Sequence, residues 1–351
     1  MRLTKIAEIP SFVEISESAR KKVAQVMELS GLSNTVLLSG RKSYELAGKK
    51  IREKIRGSVL DVFFVETASM EEVRKLEFSM AYSDIDSVMG IGGGKVLDVG
   101  KVLASELNVP FISIPTVASH DGVASPVASF KEKNRPASLS VNPPAIILAD
   151  LTILRKSPVR YLRAGFGDLI SNITAVRDWE LSRDKTGEAY SEVAASMAVM
   201  PANLMIKSAS LDIQNLKTLE MLVRGLVLSG VSISIAGSSR PASGAEHKFS
   251  HALDYLGYGQ GLHGEQVGIG AIIMEYLHQK YYGTGDWEAV KDALESVQAP
   301  TTAREIGVTK EQVVEALLFA RQIRKKRYTI LEDINAGRDE LELAVEKTGV
   351  A

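Results

Sequence analysis

The stretch Ser87–Leu107, SVMGIGGGKVLDVGKVLASEL, joins a short apolar run to a helical pattern through Gly92-Gly93-Gly94. Ser87–Ile91 reads as a buried strand. Beyond the glycines, Val96, Val99, Leu103 and Leu107 fall on one face of a helix. Glycines at such a junction let the backbone turn tightly and approach a ligand closely. The helix start then offers free N–H groups and a positive dipole end to a pyrophosphate. The turn is neither a P-loop nor GxGxxG, because Lys95 stands where the third glycine would fall. Strand-to-helix turns are often glycine-rich, so phosphate binding is here an expectation from context. Asp98, in the first helical turn, either orients a neighbouring loop or sits solvated.

Outward from this unit, the first 150 residues alternate strand and helix signals. Thr35–Leu38, Val59–Val65, Phe111–Ile114 and Ala145–Leu148 read as further buried strands. Tyr44–Ile55, Met70–Tyr82 and Val96–Leu107 read as helices. This rhythm predicts an α/β, Rossmann-like domain over residues 1–155, with a parallel sheet and ligands at the carboxyl ends of its strands. Ser125–Pro144 breaks the rhythm and reads as a hairpin or flap. After about Lys156 strand signals nearly vanish. Long Ala-, Leu-, Glu- and Lys-rich stretches such as GEAYSEVAASMAVMPANLMIKSASL and KEQVVEALLFARQIRKKRYTILEDI predict an all-α domain over 156–351. The cleft between the two domains is the expected place for chemistry.

Composition narrows the function. The chain has 351 residues, is 45% hydrophobic and carries a formal net charge of −1, which argues against nucleic acid or anionic membrane as partner. It has no cysteine, which excludes disulfides, thiolate catalysis and Cys-based metal sites. Any metal must use His, Asp, Glu or water. MRLTKIAEIPSFVEIS has no signal-peptide core, and apolar stretches such as PAIILADLTIL are too short to span a bilayer, so a cytoplasmic setting is expected.

A second strand exit, FISIPTVASHDGVASPVASF, ends in small polar residues. Thr116, Ser119, His120, Asp121 and Ser125 lie where a cofactor bound over the sheet would extend. Far downstream, GAEHKFSHALDYLGYGQGLHGEQ holds three of the five histidines: His247, His251 and His263. His247 and His251 are four apart, so spacing alone makes them the first metal pair; the alternative is capping or core histidines. Asp168, in AGFGDLISN after a glycine-containing turn, is the candidate third ligand, or simply an N-cap.

Taken in order, Gly92-Gly93-Gly94 with Asp98, PTVASHDGVASP, NPPAIILAD, AGFGDLISNITA, GAEHKFSHALD and LHGEQVGIG resemble the glycerol dehydrogenase-like branch of the iron/zinc polyol dehydrogenases. Within it they resemble most the phosphate-using sn-glycerol-1-phosphate dehydrogenases. The resemblance implies NAD(P)H-dependent reduction of dihydroxyacetone phosphate to sn-glycerol 1-phosphate, with one zinc ion polarising the carbonyl. It places the metal on Asp168, His247 and His263, and turns His251 toward the substrate, reversing the spacing argument. Cofactor contacts map to the turn Gly92, Gly93, Gly94, Lys95, Val96, Leu97 and Asp98, and to Thr116, Val117, Ala118, Ser119 and Ser125. Asp121 maps to a substrate hydroxyl contact, so Asp121, Asp168 and His251 form the catalytic and substrate-binding set. Iron-dependent members carry a histidine where this chain has Asn172, so three-ligand zinc is expected. The strand end Ser39-Gly40-Arg41-Lys42 lacks the acid that selects NADH, so NADPH and NADH are both expected to serve. For the substrate phosphate, Arg240 or helix N-terminal N–H groups near Ser243 and Gly244 are the candidates, against a merely solvated arginine. A homo-oligomer is the expected assembly. The competing readings are a glycerol dehydrogenase on unphosphorylated polyol, a dehydroquinate synthase-like lyase, and a non-catalytic nucleotide-binding protein.

Overall fold

The computed structural model describes residues 7–80, 84–132, 135–208 and 212–351, and divides into two compact units, Met1–Pro158 and Val159–Ala351. The start of the N-terminal stretch (1–6), the end of the helix expected over 70–82 (Ala81 and Tyr82), the tip of the expected flap (Lys133 and Asn134) and the end of one expected helical stretch (209–211) lie outside the described residues.

The first unit is built on a six-stranded sheet. Its strands are β1 (Phe12–Ser16), β2 (Thr35–Ser39), β3 (Val59–Phe64), β4 (Ser87–Gly92), β5 (Phe111–Pro115) and β8 (Ile146–Asp150), in the order β1-β8-β5-β4-β2-β3. All pairings are parallel. β2, β4, β5 and β8 are buried throughout, which is why they read as unbroken apolar runs. β1, FVEIS, escaped the sequence reading because it is a short edge strand with only Ile15 fully buried. The chain passes from β2 out to β3, then returns to the other side of β2 as β4. The order reverses at β2 and β4, so the crevice at their carboxyl ends is the ligand position for an open parallel sheet. β6 (Val127–Glu132) and β7 (Arg135–Ser140) form the expected hairpin, paired Val127 to Ser140.

Helices α1 (Val23–Leu29), α2 (Lys49–Lys54), α3 (Met70–Ser79) and α4 (Gly94–Glu106) belong to this unit. The core joins Leu37, Met89, Ile91, Ile112, Ile114 and Leu148 of the sheet to Val23, Met27 and Ile51 of the helices.

The second unit is helical. Its main elements are α5 (Val159–Ile170), α6 (Asn172–Thr186), α7 (Glu192–Lys207), α8 (Leu216–Ala236), α9 (Ala245–Leu256), α10 (His263–Tyr282), α11 (Trp287–Ser296), α12 (Lys310–Ala320), α13 (Ile330–Ile334) and α14 (Arg338–Thr348). α8 is long and apolar enough to cross a membrane by length and composition, a stretch the sequence reading passed over. Leu219, Leu222, Val223, Leu226 and Ile233 are nevertheless buried inside the unit, as in the core helix of a globular domain. Two expectations need correction. AGFGD is not a turn: Gly165 and Gly167 lie inside α5, and Asp168 is a buried residue of its last turn rather than an N-cap. The stretch from Lys310 to Ile334, expected to be helical, is interrupted: α12 stops at Ala320, and a turn followed by irregular backbone leads to α13.

Candidate active site

The glycine turn follows β4 and opens α4, as its sequence predicts. Its glycines are needed for close packing, not for an unusual dihedral. Gly93 has φ −84°, but a Cβ at Gly92 would stand 2.6 Å from Val96, and one at Gly94 would stand 2.4 Å from His120 Nε2. His120 is held there by its Nδ1, which accepts the Gly122 N–H at 3.0 Å. The Val96 and Leu97 side chains are buried in the core, so only their backbone can face a phosphate. Lys95 donates to the Glu66 carbonyl at 2.7 Å.

Asp98 is buried, and its Oδ1 lies 3.0 Å from the fully buried Lys101 Nζ while its Oδ2 accepts the Ser129 N–H at 3.2 Å. Lys101 also donates to the carbonyls of Gly122, Ser125 and Val127. The pair therefore ties α4 to the Asp121–Ser125 loop and the hairpin, which makes Asp98 a loop-orienting residue. Thr116 N–H donates to the Gly92 carbonyl at 2.9 Å, and the Ser125 N–H closes on the Asp121 carbonyl at 3.0 Å. Thr116, Val117, Ala118, Ser119, Asp121 and Ser125 thus form one ordered loop joined to the glycine turn. At the end of β2, Arg41 lies over Phe64 and 3.5 Å from the Glu66 carboxylate.

In the second unit, α5 and α10 cross at a backbone contact. A Cβ on Gly264 would stand 1.9 Å from the Ala164 carbonyl oxygen, and one on Gly167 would stand 2.3 Å from the Gly264 carbonyl oxygen. That approach, open only to glycine, sets Asp168 beside His263, with Asp168 Oδ1 at 3.8 Å from His263 Nε2. α9 brings in His247 and His251 at i and i+4. The His247 and His263 ring centroids lie 4.9 Å apart, and His251 stands 6.5 Å from the first and 5.8 Å from the second.

One ligand atom each from Asp168, His247 and His263 falls within a common 4.8 Å span. A tetrahedral zinc with bonds near 2.1 Å holds its ligands about 3.4 Å apart, so the trio fits such an ion after closing by about an ångström. Two imidazoles and a carboxylate are also the donor chemistry zinc takes, with a fourth position left open. Asn172 is not in this group. Its amide is buried and donates to Ser229 Oγ at 3.0 Å.

Residues behind the trio fix its geometry, and these the sequence reading missed. His247 Nδ1 lies 2.8 Å from Glu246 Oε1, which leaves Nε2 to face a metal. Burial, reinforced by the Asp178 charge, lifts the Glu246 carboxyl to about 8. For His263 the tautomer follows from a chain of partners. Gln266 Nε2 donates to Asp254 Oδ1 at 3.2 Å, so Gln266 presents its oxygen to Ser250. The Ser250 hydroxyl spends its one proton on that oxygen, at 2.6 Å. It can then only accept from His263 Nδ1, at 3.1 Å, and the lone pair of His263 is on Nε2. The only hint in sequence was position: Glu246 adjoins His247, and Ser250 lies three residues beyond it.

His251 differs from the other two. Its Nδ1 is buried with no hydrogen-bond partner among the described residues. Burial and the nearby positive charge of Arg324 hold this imidazole well below the usual histidine range.

Two sequence candidates for anion binding are already engaged. Arg240 is buried, donates to Glu188 and Ser182, and donates to the Tyr328 carbonyl at 2.8 Å. It is an internal anchor, not a solvated side chain. At the start of α9, the Gly244 N–H donates to Glu246 and the Ala245 N–H to Asp178, both at 2.7 Å, so these N–H groups are satisfied from within.

Comparison with known proteins agrees with this architecture. Residues 14–158 match the iron-containing alcohol dehydrogenase family. Among solved structures, a glycerol dehydrogenase from Schizosaccharomyces pombe has the same fold, with a TM-score of 0.80 at 19% identity over 98% of this chain and 90% of that one. A sulfoacetaldehyde reductase from Bifidobacterium kashiwanohense, solved with NAD+, gives 0.75 at 16% identity over 99% of each chain. In sequence, a glycerol-1-phosphate dehydrogenase (NAD(P)+) from Archaeoglobus fulgidus is 56% identical over 99% of both chains. One from Thermococcus sibiricus is 42% identical over 98% of both. Identity at this level over nearly the full length shows that the chain belongs to the glycerol-1-phosphate dehydrogenase family.

Proposed function

We propose that the chain reduces dihydroxyacetone phosphate to sn-glycerol 1-phosphate with NADPH or NADH, and that Asp168, His247 and His263 hold one zinc ion. The observation that carries this reading is the joining of those three side chains by separate helices, in a chain 56% identical to a glycerol-1-phosphate dehydrogenase. When bound, zinc supplies a Lewis acid for the ketone oxygen, and the nicotinamide supplies the hydride.

The protein's own residues orient and hold. Glu246 and Ser250 keep the two ligand imidazoles aimed through Nε2. Gly92, Gly93 and Gly94 bring the backbone of Lys95, Val96, Leu97 and Asp98 up to the pyrophosphate at the start of α4. Thr116, Val117, Ala118, Ser119 and Ser125 extend that cofactor surface, and exposed Arg41 tolerates a 2′-phosphate, so neither cofactor is rejected. His251, with its buried unpartnered Nδ1, takes a substrate oxygen, and Asp121 takes a substrate hydroxyl. As hydride adds to the ketone carbon, the ketone oxygen takes up one proton, so the reaction consumes one NAD(P)H and one H+ per alcohol formed.

The test follows NADPH and NADH oxidation by the zinc-loaded protein with dihydroxyacetone phosphate and with dihydroxyacetone, together with metal content and the configuration of the product. The expectation is one zinc per chain, strong preference for the phosphorylated ketone, and sn-glycerol 1-phosphate as the product. Equal or better turnover of dihydroxyacetone would favour a glycerol dehydrogenase instead. No NAD(P)H consumption with either ketone would remove the reductase reading.

A further inference from the structure

With Arg240 and the start of α9 engaged internally, the phosphate of the proposed substrate needs other donors. The run QIRKKRY, Gln322–Tyr328, lies beyond the end of α12 within a stretch whose composition predicts helix. It is a turn instead, and it is firmly tied down. Lys248 of α9, fully buried, donates to the Arg327 carbonyl at 3.1 Å and pairs with Glu332. Arg240 holds the Tyr328 carbonyl, and the Ile330 N–H donates to Asp178 at 2.8 Å.

This turn directs two guanidinium groups onto one residue at the head of the histidine helix. Arg324 Nη1 donates to Ser243 Oγ at 3.1 Å. Arg327 donates to the Ser243 carbonyl and, through Nη2, to Ser239 Oγ at 2.8 Å. Among the described residues, Arg327 makes no ion pair within 4 Å; its hydrogen bonds go to neutral oxygens. Arg324 has φ +46°, a left-handed backbone that a side chain adopts at a cost and that gathers at ligand sites.

We propose that Arg324 and Arg327, gathered on Ser243 one turn ahead of His247, form the subsite for the substrate's phosphate, and so set the preference for a phosphorylated ketone. This rests on the reading of the site given above. Its chemistry is that of guanidinium forks matched to phosphate oxygens. Electrostatics agrees. Burial together with the neighbouring charges of Arg324 and Arg240 presses Arg327 down to about 9, and Arg324 is lowered too, chiefly by burial. The acids that face Arg327 are Glu246, already bonded to Gly244 and His247, and Glu188, already bonded to Arg240. A bound dianion supplies the charge this cluster is short of.

The experiment uses zinc-loaded wild type, Arg327→Gln and Arg324→Gly. Glycine is chosen at 324 because it adopts the positive φ without strain, so the guanidinium is removed while the turn keeps its shape. Melting temperature and zinc content of each variant check the fold. KM and kcat are measured with dihydroxyacetone phosphate and with dihydroxyacetone, and inorganic phosphate is titrated calorimetrically as an activity-independent probe. Each variant is expected to lower kcat/KM for dihydroxyacetone phosphate about 30- to 100-fold, to weaken phosphate binding at least about tenfold, and to leave dihydroxyacetone within about threefold. An unchanged KM for the phosphorylated ketone, or equal losses with both ketones, overturns the assignment. Should wild type fail to reduce dihydroxyacetone phosphate at all, the proposed reaction falls. The phosphate titration then decides the anion subsite by itself: weaker binding in the variants keeps it, equal binding removes it.

Discussion

The crossing of α5 and α10 makes a sharp prediction at Gly264. A methyl group there would lie 1.9 Å from the Ala164 carbonyl oxygen and 2.5 Å from its carbon, both backbone atoms that no rotamer change can move. To reach ordinary contact at 3.4 Å the two helices must part locally by about 1.5 Å. Metal–ligand bonds tolerate only about 0.2 Å. The parted helices carry Asp168 and His263, the pair now 3.8 Å apart. Gly264→Ala is therefore expected to cost about 3 kcal/mol from overpacking, which lowers Tm by about 6–12 °C, and to weaken zinc binding at least about 100-fold. Gly268→Ala is the control on the same face. Its methyl would meet the flexible Leu294 side chain at 3.3 Å and the Gly167 Cα at 3.5 Å, so it should shift neither quantity by much. Zinc affinity from chelator competition and melting by circular dichroism check both variants. If Gly264→Ala binds zinc within about threefold of wild type, the backbone contact does not set the ligand spacing, and the reasoning fails.

His247→Ala and His263→Ala should each lose zinc, whereas His251→Ala should keep it and lose substrate affinity; metal content after dialysis separates the two classes, and zinc lost with His251→Ala but retained with His263→Ala would reverse the ligand assignment. Ser250→Ala should weaken zinc about 10- to 100-fold with little change in Tm, because it frees the His263 ring to choose its tautomer; chelator competition measures it. Lys101→Met leaves Asp98 as a buried charge without its partner and should destabilise the protein by about 3–5 kcal/mol, read from denaturant unfolding.

Much of the first unit was legible because buried parallel strands are continuous apolar runs punctuated by turns. Two elements near the start carry weaker signals: helix α1 is only seven residues long, and in β1 an exposed edge thins the pattern to one buried residue. The trio proposed to hold a metal follows from the resemblance, while helical spacing alone favours His247 with His251. Spacing describes one helix, and the ring that lies nearer to His247, that of His263, stands on another. AGFGD misled for a related reason. Its glycines suggest a turn when read locally, yet Gly167 is small because a second helix passes at 2.3 Å. Arg240, Arg324 and Arg327 show the same limit. Arg240 meets Glu188 across 52 positions, and Arg327 meets Ser239 across 88, so nothing in their own neighbourhoods says which arginine is an anchor and which is directed at the histidine helix.

The two imidazoles proposed to hold zinc have unlike supports. Behind His247 lies a carboxyl group that is wholly enclosed; behind His263 lies a neutral hydroxyl at the end of an amide relay. Once ionised, Glu246 accepting the Nδ1 proton would enrich the ring more than a hydroxyl does, and His247 would then be the stronger donor. It is also the more sheltered, with 11% of its side chain exposed against 34% for His263. The proposed site is thus lopsided, with an enclosed imidazole on the inside and a more exposed one at the rim. With zinc held there, His263 would be the ligand least firmly supported by the protein.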